Sequence, residues 1–289
     1  MAERIASRCI CCESADLDRS PAILMPFVAN RVFGWTPVEI TPEWGLRTIP
    51  TGLAYPLCAS LQCRDCGVLF LDIRFSDAEM GALYSGYRGE AYTAQRDRFE
   101  PGYAAQNAAI VTGEADTSGP EAFLASSLPP VPRVLDWGGD SGKAAPFRSA
   151  GAAVDVFDIS DQPLVEGVRR VGKDDLVRGA YDLIVLSHVL EHVPWPAEMI
   201  GEIAAVMDQQ TVLYLEVPHE TLVAADPAAR DLAAKKKHWH EHVNFFTEDA
   251  LRALLARCGL KIAAAEVRTI PSLASFTQVL AVSCRLANA

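Results

Sequence analysis

No stretch of this sequence approaches the ~20 consecutive apolar residues that a membrane-spanning helix needs. The opening residues, MAERIASRC, hold no apolar core, so a secretory leader is not expected there. Positive charge is scarce: 26 lysines and arginines stand against 37 acids, a net charge of −11. That balance excludes an extended nucleic-acid-binding face. The one basic run, Lys235 to Lys237, reads first as a solvated helix end and second as a clamp on an acidic substrate. These absences point to a cytoplasmic protein that acts on a small molecule, with neither membrane nor nucleic acid as partner. In that compartment the eight cysteines are expected as thiols or metal ligands, not disulfides.

What is present divides the chain. Half of its residues are hydrophobic, enough for a sizeable core, and 289 residues suggest roughly two domains. Residues 1–75 carry six of the eight cysteines, many prolines and little helical periodicity. Within them Cys9-x-x-Cys12 and Cys63-x-x-Cys66 form two pairs, each able to put two thiolates on one tetrahedral zinc. The loop between the pairs is long, but closure entropy grows slowly with length. Buried reduced thiols are the plainer alternative, and two pairs make it the weaker one. The adjacency of Cys11 and Cys12 leaves open which sulfur is the second ligand. A zinc-binding module is therefore expected over 1–75.

Residues 76–130 read as a helical cap and connection. Ser76 with Glu79 fits a capping box at a helix start. Tyr84, Tyr87, Arg88, Tyr92, Arg96, Arg98 and Tyr103 follow, and residues 112–132 read as a plain connection. Aromatics at helical spacing usually mean core. Interleaved with arginines, they suit a cap that closes over a polar substrate.

From 131 to 289 strand-like and helix-like segments alternate. Strands are expected at 133–137, 153–158, 181–187 and 211–217, and helices at 142–150, 162–170, 196–207 and 247–258. Such alternation implies a Rossmann-like α/β domain with a mostly parallel sheet. Two last strand-like runs, 260–268 and 276–286, leave no room for a helix between them and read as an antiparallel hairpin. The run VLDWGGDSG (134–142) takes the first strand into a glycine-rich turn. The second strand ends in Asp158, where an acid would bind a ribose diol. No Gly-Lys-Ser/Thr follows to cradle a triphosphate. Asp136, two residues before the first glycine, would repel a pyrophosphate and suits a cationic ligand.

The spacing D-x-G-G-D-x-G resembles the first motif of class I S-adenosylmethionine (SAM)-dependent methyltransferases, with Asp140 in place of the middle glycine. The resemblance implies that Asp136, Gly138, Gly139 and Gly142 hold the methionine part of SAM and Asp158 its ribose. The segment YDLIVLSHVLEHVPWP resembles that family's post-strand motif, which places Ser187, His188, Glu191 and His192 near the cofactor, His192 as lining.

The segment HWHEHVNFF puts His238, His240 and His242 on alternate positions with Glu241 among them. A metal cluster is one reading, since residues two apart share a face of an extended chain. A polar helix entry capped by Thr247 is the bland one. A general base is the third, because histidine titrates near neutral pH and an adjacent carboxylate can orient the ring. The segment resembles the HEHxxYF run of zinc-containing nucleotide-sugar C-methyltransferases. So do YPLCASLQCRDCG, MPFVANRVF and the Tyr84/Tyr87 pair, in separated blocks over residues 9–286.

The resemblance implies that His242 is the base, with Glu241 orienting it and His240 next in line. It makes Tyr84 and Tyr87 acceptor-side residues and the acceptor a sugar or nucleotide-sugar. That family continues into a further C-terminal domain, so its hold on the nucleotide is not expected to carry over. Two other readings stand: a small-molecule O- or N-methyltransferase of secondary metabolism, and a non-catalytic zinc-ribbon interaction protein.

Overall fold

The computed structural model describes residues 3–44, 51–226, 229–271 and 276–287. Its N-terminal part holds β1 (Leu17–Leu24), α1 (Pro26–Phe33), β2 (Val38–Ile40), β3 (Gly52–Ala54), β4 (Leu57–Cys63) and β5 (Leu69–Leu71). The helix α1 is one that a reading of residues 1–75 as poor in helix misses. Pro26 supplies the fixed φ of a first turn, and Gly34, at φ 66°, ends the helix in the left-handed region. Strands β1, β4 and β5 pair antiparallel, while β2 and β3 form a separate two-stranded ribbon.

The cap follows as α2 (Asp77–Tyr84), α3 (Glu90–Phe99), α4 (Tyr103–Thr112) and α5 (Ser118–Leu124). Ser76 and Glu79 form the reciprocal capping box that their spacing predicts. The helix α5 lies in the stretch expected to be a plain connection. Its Leu124 is fully buried against the main sheet.

The main domain runs β6 (Arg133–Trp137), β7 (Ala153–Phe157), β8 (Val168–Arg170), β9 (Leu183–Ser187), α6 (Pro196–Val206) and β10 (Val212–Pro218). The short α7 (Thr221–Ala224), α8 (Leu232–Lys235), β11 (His238–Trp239) and β12 (Asn244–Phe245) come next. The last elements are α9 (Glu248–Arg257), β13 (Leu260–Pro271) and β14 (Phe276–Leu286). The seven-stranded sheet is ordered β8-β7-β6-β9-β10-β14-β13. Its first five strands are parallel, and β14 and β13 close it antiparallel, as the terminal hairpin predicts. This is a Rossmann-like α/β arrangement closed by an antiparallel hairpin. Strand order reverses at β6, so the crevice beyond the carboxyl ends of β6 and β9 is where a ligand binds.

Period-2 alternation sorts the core onto the two faces of the sheet. Leu135, Ile184, Leu186, Leu213 and Leu215 pack with α6 and α9. Val134, Leu183, Val185, Val212 and Tyr214 pack with Leu124, Ala145 and Phe147 on the other side. The helices expected at 142–150 and 162–170 do not form. Pro146 would sit inside the first without an N–H to donate, and Phe147 is left-handed at φ 62°. Pro163 and Gly167, at φ 80°, break the second, whose end becomes edge strand β8. Among the described residues no helix is long and apolar enough to cross a membrane.

The histidine segment does not stay with the main domain. Its strands β11 and β12 complete a five-stranded sheet ordered β11-β1-β4-β5-β12. One core therefore joins Cys9, Cys63, Val68 and Phe70 to Leu251 and Leu254 of α9. Thr247 pins this junction: its Oγ1 caps α9 by accepting from the Ala250 N–H at 3.1 Å and donates to the Cys66 carbonyl at 3.0 Å. Thr247→Ala is expected to lower stability by ~1–2 kcal/mol, the usual worth of such a cap. Equilibrium urea unfolding checks this, with Thr247→Ser recovering most of the loss.

Candidate functional site

Residues at the end of β9 and in the histidine segment meet through backbone. The Glu191 carbonyl accepts the N–H groups of Val243 at 2.7 Å and Asn244 at 3.0 Å. The buried Asn244 amide donates to the carbonyls of Leu190 at 2.8 Å and Val193 at 2.7 Å. Its Oδ1 accepts from the buried Arg74 guanidinium at 3.1 Å. These bonds set His192 and His242 edge to face, ring centres 4.7 Å apart.

The cap reaches the same place. Tyr84 Oη lies 2.8 Å from His192 Nδ1, which also lies 3.0 Å from the Glu241 carbonyl. Tyr84 stacks edge-on with Tyr87, and burial pushes its phenol well above the usual range. Burial drives His192 the opposite way, down to about 4, so its ring is neutral. Burial opposes charge on His242 too. There the hydrogen bond to Glu220 and the charge of Glu191 prevail, and its pKa rises.

Two expectations need correcting. Glu241 does not hold His242: its carboxylate pairs with Arg96 of α3 and lies 3.5 Å from His240 Nδ1. The partner of His242 is Glu220, whose Oε1 is 2.8 Å from Nδ1. Glu220 lies just past β10, beyond the reach of any motif argument. An acid two residues after the last buried residue of a strand was the available signal. Nor do His238, His240 and His242 converge as a metal cluster, since His238 is exposed. His242 groups instead with Glu191 and His192.

At the other end of the cap, Arg88 Nε lies 3.7 Å from Asp140 of the glycine-rich turn. Asp140 takes the place of a glycine at φ 53°, a left-handed conformation that aspartate tolerates better than most residues. Asp158 Oδ2 accepts the Asp140 N–H at 2.8 Å, and Oδ1 accepts the Ser160 N–H at 2.6 Å. Each oxygen keeps a second lone pair for a ribose hydroxyl. A Cβ on Gly139 would lie 2.3 Å from the Asp136 carboxylate, so only glycine lets that acid sit under the turn. Asp136 is 5% exposed, and its pKa is pushed up to about 7 by burial, then by the charges of Asp158 and Asp140. A turn with three converging acids fits a cationic ligand such as SAM, whose sulfonium and ammonium would relieve the repulsion. Ser187 Oγ bonds Glu216 at 3.2 Å, and His188, at φ 55°, stands between Glu191 and Glu216.

The four sulfurs of Cys9, Cys12, Cys63 and Cys66 lie within 4.8 Å of one another, with Cys9–Cys66 and Cys12–Cys63 each at 3.5 Å. Zn–S bonds of ~2.3 Å set tetrahedral sulfurs about 3.8 Å apart, so the set fits zinc. Cys12, not Cys11, is the second sulfur of the group. Hydrogen bonds from the Cys11 and Cys66 thiols hold Cys9 well below the usual thiol range.

A family profile described as a methyltransferase domain matches residues 114–265, more than half of the chain. The chain belongs to that family and is a SAM-dependent methyltransferase. Solved structures of similar fold include the Burkholderia thailandensis 1,6-didemethyltoxoflavin N1-methyltransferase with bound S-adenosylhomocysteine. It is 18% identical over 68% of this chain and 89% of that one, with a TM-score of 0.48. The magnesium protoporphyrin IX methyltransferase of Synechocystis PCC 6803, with the same ligand bound, is 19% identical over 63% and 86%, TM-score 0.41. A SAM-dependent methyltransferase of Methanosarcina mazei is 16% identical over 58% and 98%, TM-score 0.42. The family profile, not these distant neighbours, carries the assignment. Comparison with curated protein sequences finds no match.

The buried acid gives a test. An unfolded aspartate titrates near ~4, the folded Asp136 at about 7. Below the lower value both states hold the proton. Between the two only the folded state does, so this group's contribution to stability falls as pH rises through that window. Asp136→Asn is expected to melt a few degrees above wild type near about pH 8, and close to it near about pH 4, without cofactor. The same variant is expected to lose SAM affinity. Scanning fluorimetry and calorimetry check both; equal melting at the higher pH would count against the buried charge.

Proposed function

We propose that the protein methylates a sugar or sugar-linked small molecule, with His242 taking the acceptor's proton. The observation that carries this reading is the 2.8 Å contact between His242 Nδ1 and Glu220. It leaves Nε2 free and favours proton uptake, the arrangement of a general base. SAM, when bound, supplies an activated methyl group on its sulfonium. Asp136 and the turn at Gly138, Gly139 and Gly142 hold its methionine end, Asp158 takes the ribose hydroxyls, and Ser187 and His188 flank it. Tyr84, Tyr87 and His192 line the acceptor side. Arg96, paired with Glu241, holds the cap down over them and excludes water; His240 stands behind as a proton acceptor. A lining of phenols and imidazoles offers hydrogen bonds to several hydroxyls, which supports a sugar. Resemblance favours carbon as the methylated atom, and a hydroxyl oxygen needs only the same base.

In this reading residues 1–75 form a zinc module on Cys9, Cys12, Cys63 and Cys66, residues 76–130 the cap and 131–289 the transferase domain. The strands of residues 238–245 complete the module's sheet and bind it to the site.

Conversion of SAM is to be measured against keto-deoxysugar nucleotides, simple sugars, phenols and amines. Turnover confined to phenols or amines would remove the sugar. His242→Asn is expected to keep SAM affinity and cut turnover by ~10²–10⁴-fold; full activity would remove it as the base. Elemental analysis is expected to find zinc on the four cysteines, absent in Cys63→Ser. Chelation should loosen the N-terminal strands first, because metal binding is coupled to their folding.

A further inference from the structure

We propose that Glu191, His192 and His242 form a second metal site, for a first-row divalent cation such as Mn²⁺, Co²⁺ or Zn²⁺. One ligand atom from each lies within 4.8 Å of the others. Two imidazoles and one carboxylate make a ligand set that such cations accept while keeping positions open.

Three features point the same way. Glu191 is 2% exposed, and among the described residues neither of its carboxylate oxygens has a hydrogen-bond partner. A buried carboxylate left so is costly unless a cation meets it. His192 Nε2 lies 3.8 Å from Glu191 Oε1. His188 Nδ1 makes an ion-pair contact with the same oxygen at 3.5 Å, without hydrogen-bond geometry, and it does not reach the second oxygen, Oε2.

The second feature is the outer side of each ring. His192 Nδ1 is taken up by Tyr84 and the Glu241 carbonyl, and His242 Nδ1 by the Glu220 carboxylate. Metal-binding histidines characteristically give one nitrogen to a carbonyl or carboxylate and the other to the metal. Here both rings have that arrangement, and both Nε2 atoms remain.

The third is the rigidity of the frame. His192 and Glu191 follow β9, and His242 precedes β12. The Glu191 carbonyl bonds to Val243 and Asn244 lock the two segments together whether or not an ion is present. Bonds near 2.1 Å set ligand atoms about 3.4 Å apart in a tetrahedral site, so rotations of roughly an ångström suffice to close it. The site is distinct from the four cysteines, which are thiolate donors in another part of the fold.

The open positions would face the acceptor beneath Tyr84, where a cation would hold an acceptor oxygen and make its hydroxyl more acidic, the proton passing to His240. This assignment needs no sugar and no particular acceptor. It gives His242 Nε2 a different task when the ion is bound, since one lone pair cannot hold both a cation and a proton. His242 is then the base in the ion-free protein alone.

The test uses the whole protein with its cysteine zinc intact and Mn²⁺ as the probe, followed by electron paramagnetic resonance. One tightly bound Mn²⁺ per chain is expected in the wild type. Glu191→Gln is expected to weaken binding by about 100-fold or more, and Glu220→Gln, which only supports a ligand, by ~10–100-fold. Circular dichroism and zinc content report whether each variant is folded, and Glu220→Gln alone suffices if Glu191→Gln is not. No stoichiometric binding in the wild type, or binding unchanged in the folded variants, overturns the site. Absent binding with turnover still lost in His242→Asn keeps the base reading and removes the metal. Binding without any methyl transfer removes the proposed reaction and keeps the metal.

Discussion

Asn244 is 1% exposed, and both ends of its amide are engaged: two donated bonds run to the chain after β9, and one accepted bond comes from Arg74. Arg74 is itself 1% exposed and has no carboxylate hydrogen-bonded to it; the carbonyls of Leu71, Ile73 and Pro194 and the Asn244 side chain take its donors. Burial depresses its pKa to about 9, still charged at neutral pH. Removing one partner from such a network leaves the others unsatisfied in a low-dielectric setting, which costs more than one net hydrogen bond contributes. Three distant parts of the chain are committed at this point: the end of the N-terminal module, the turn after β9 and the histidine segment. The site exists because they meet there.

The cap is fastened at two places by the same device. Arg88 reaches Asp140 on the glycine-rich turn, and Arg96 reaches Glu241 beside the histidines. Arg96 is further held between the rings of Tyr103 and Phe27, at 4.2 and 5.0 Å. A guanidinium stacked on aromatics loses little by being half buried, and in that setting its ion pair is screened less than on the surface. Burial alone would raise Glu241, but His240 and Arg96 hold it far below the usual carboxylate range. The two pairs tie the glycine-rich turn and the histidine segment to the same cap.

Much of this was legible in the sequence. Four of the five parallel strands, the closing hairpin, α6, α9 and the Ser76 capping box follow from periodicity and local chemistry, which depend on neighbours a few residues apart; β8 stands where a helix is expected. The two helices that do not form are broken locally as well, by Pro146, Pro163 and Gly167, whose backbone constraints prevail over the strand–helix alternation of the fold. What could not be read was anything set by long-range closure. Glu220 and His242 are brought together by β12 joining a sheet built from residues 17–71. No period in the chain encodes that pairing. Glu241 was chosen as the partner of His242 because adjacency is the only distance a sequence displays. The chain bends at Glu241, between β11 and β12, and the two neighbours part there: Glu241 pairs with Arg96 of the cap and His242 with Glu220.

Backbone strain is distributed in the same way. Among the described residues five non-glycine residues have left-handed φ: Glu13, Arg88, Asp140, Phe147 and His188. Three of them, Arg88 at 59°, Asp140 at 53° and His188 at 55°, stand on or beside the glycine-rich turn and the acids near the histidine cluster. Each such residue costs on the order of 1 kcal/mol or more and persists only where its surroundings over-determine it. Arg88 and Asp140 constrain each other through their ion pair, and His188 is fixed by the acids on either side. In each case the charged group that holds the strained residue belongs to the site itself.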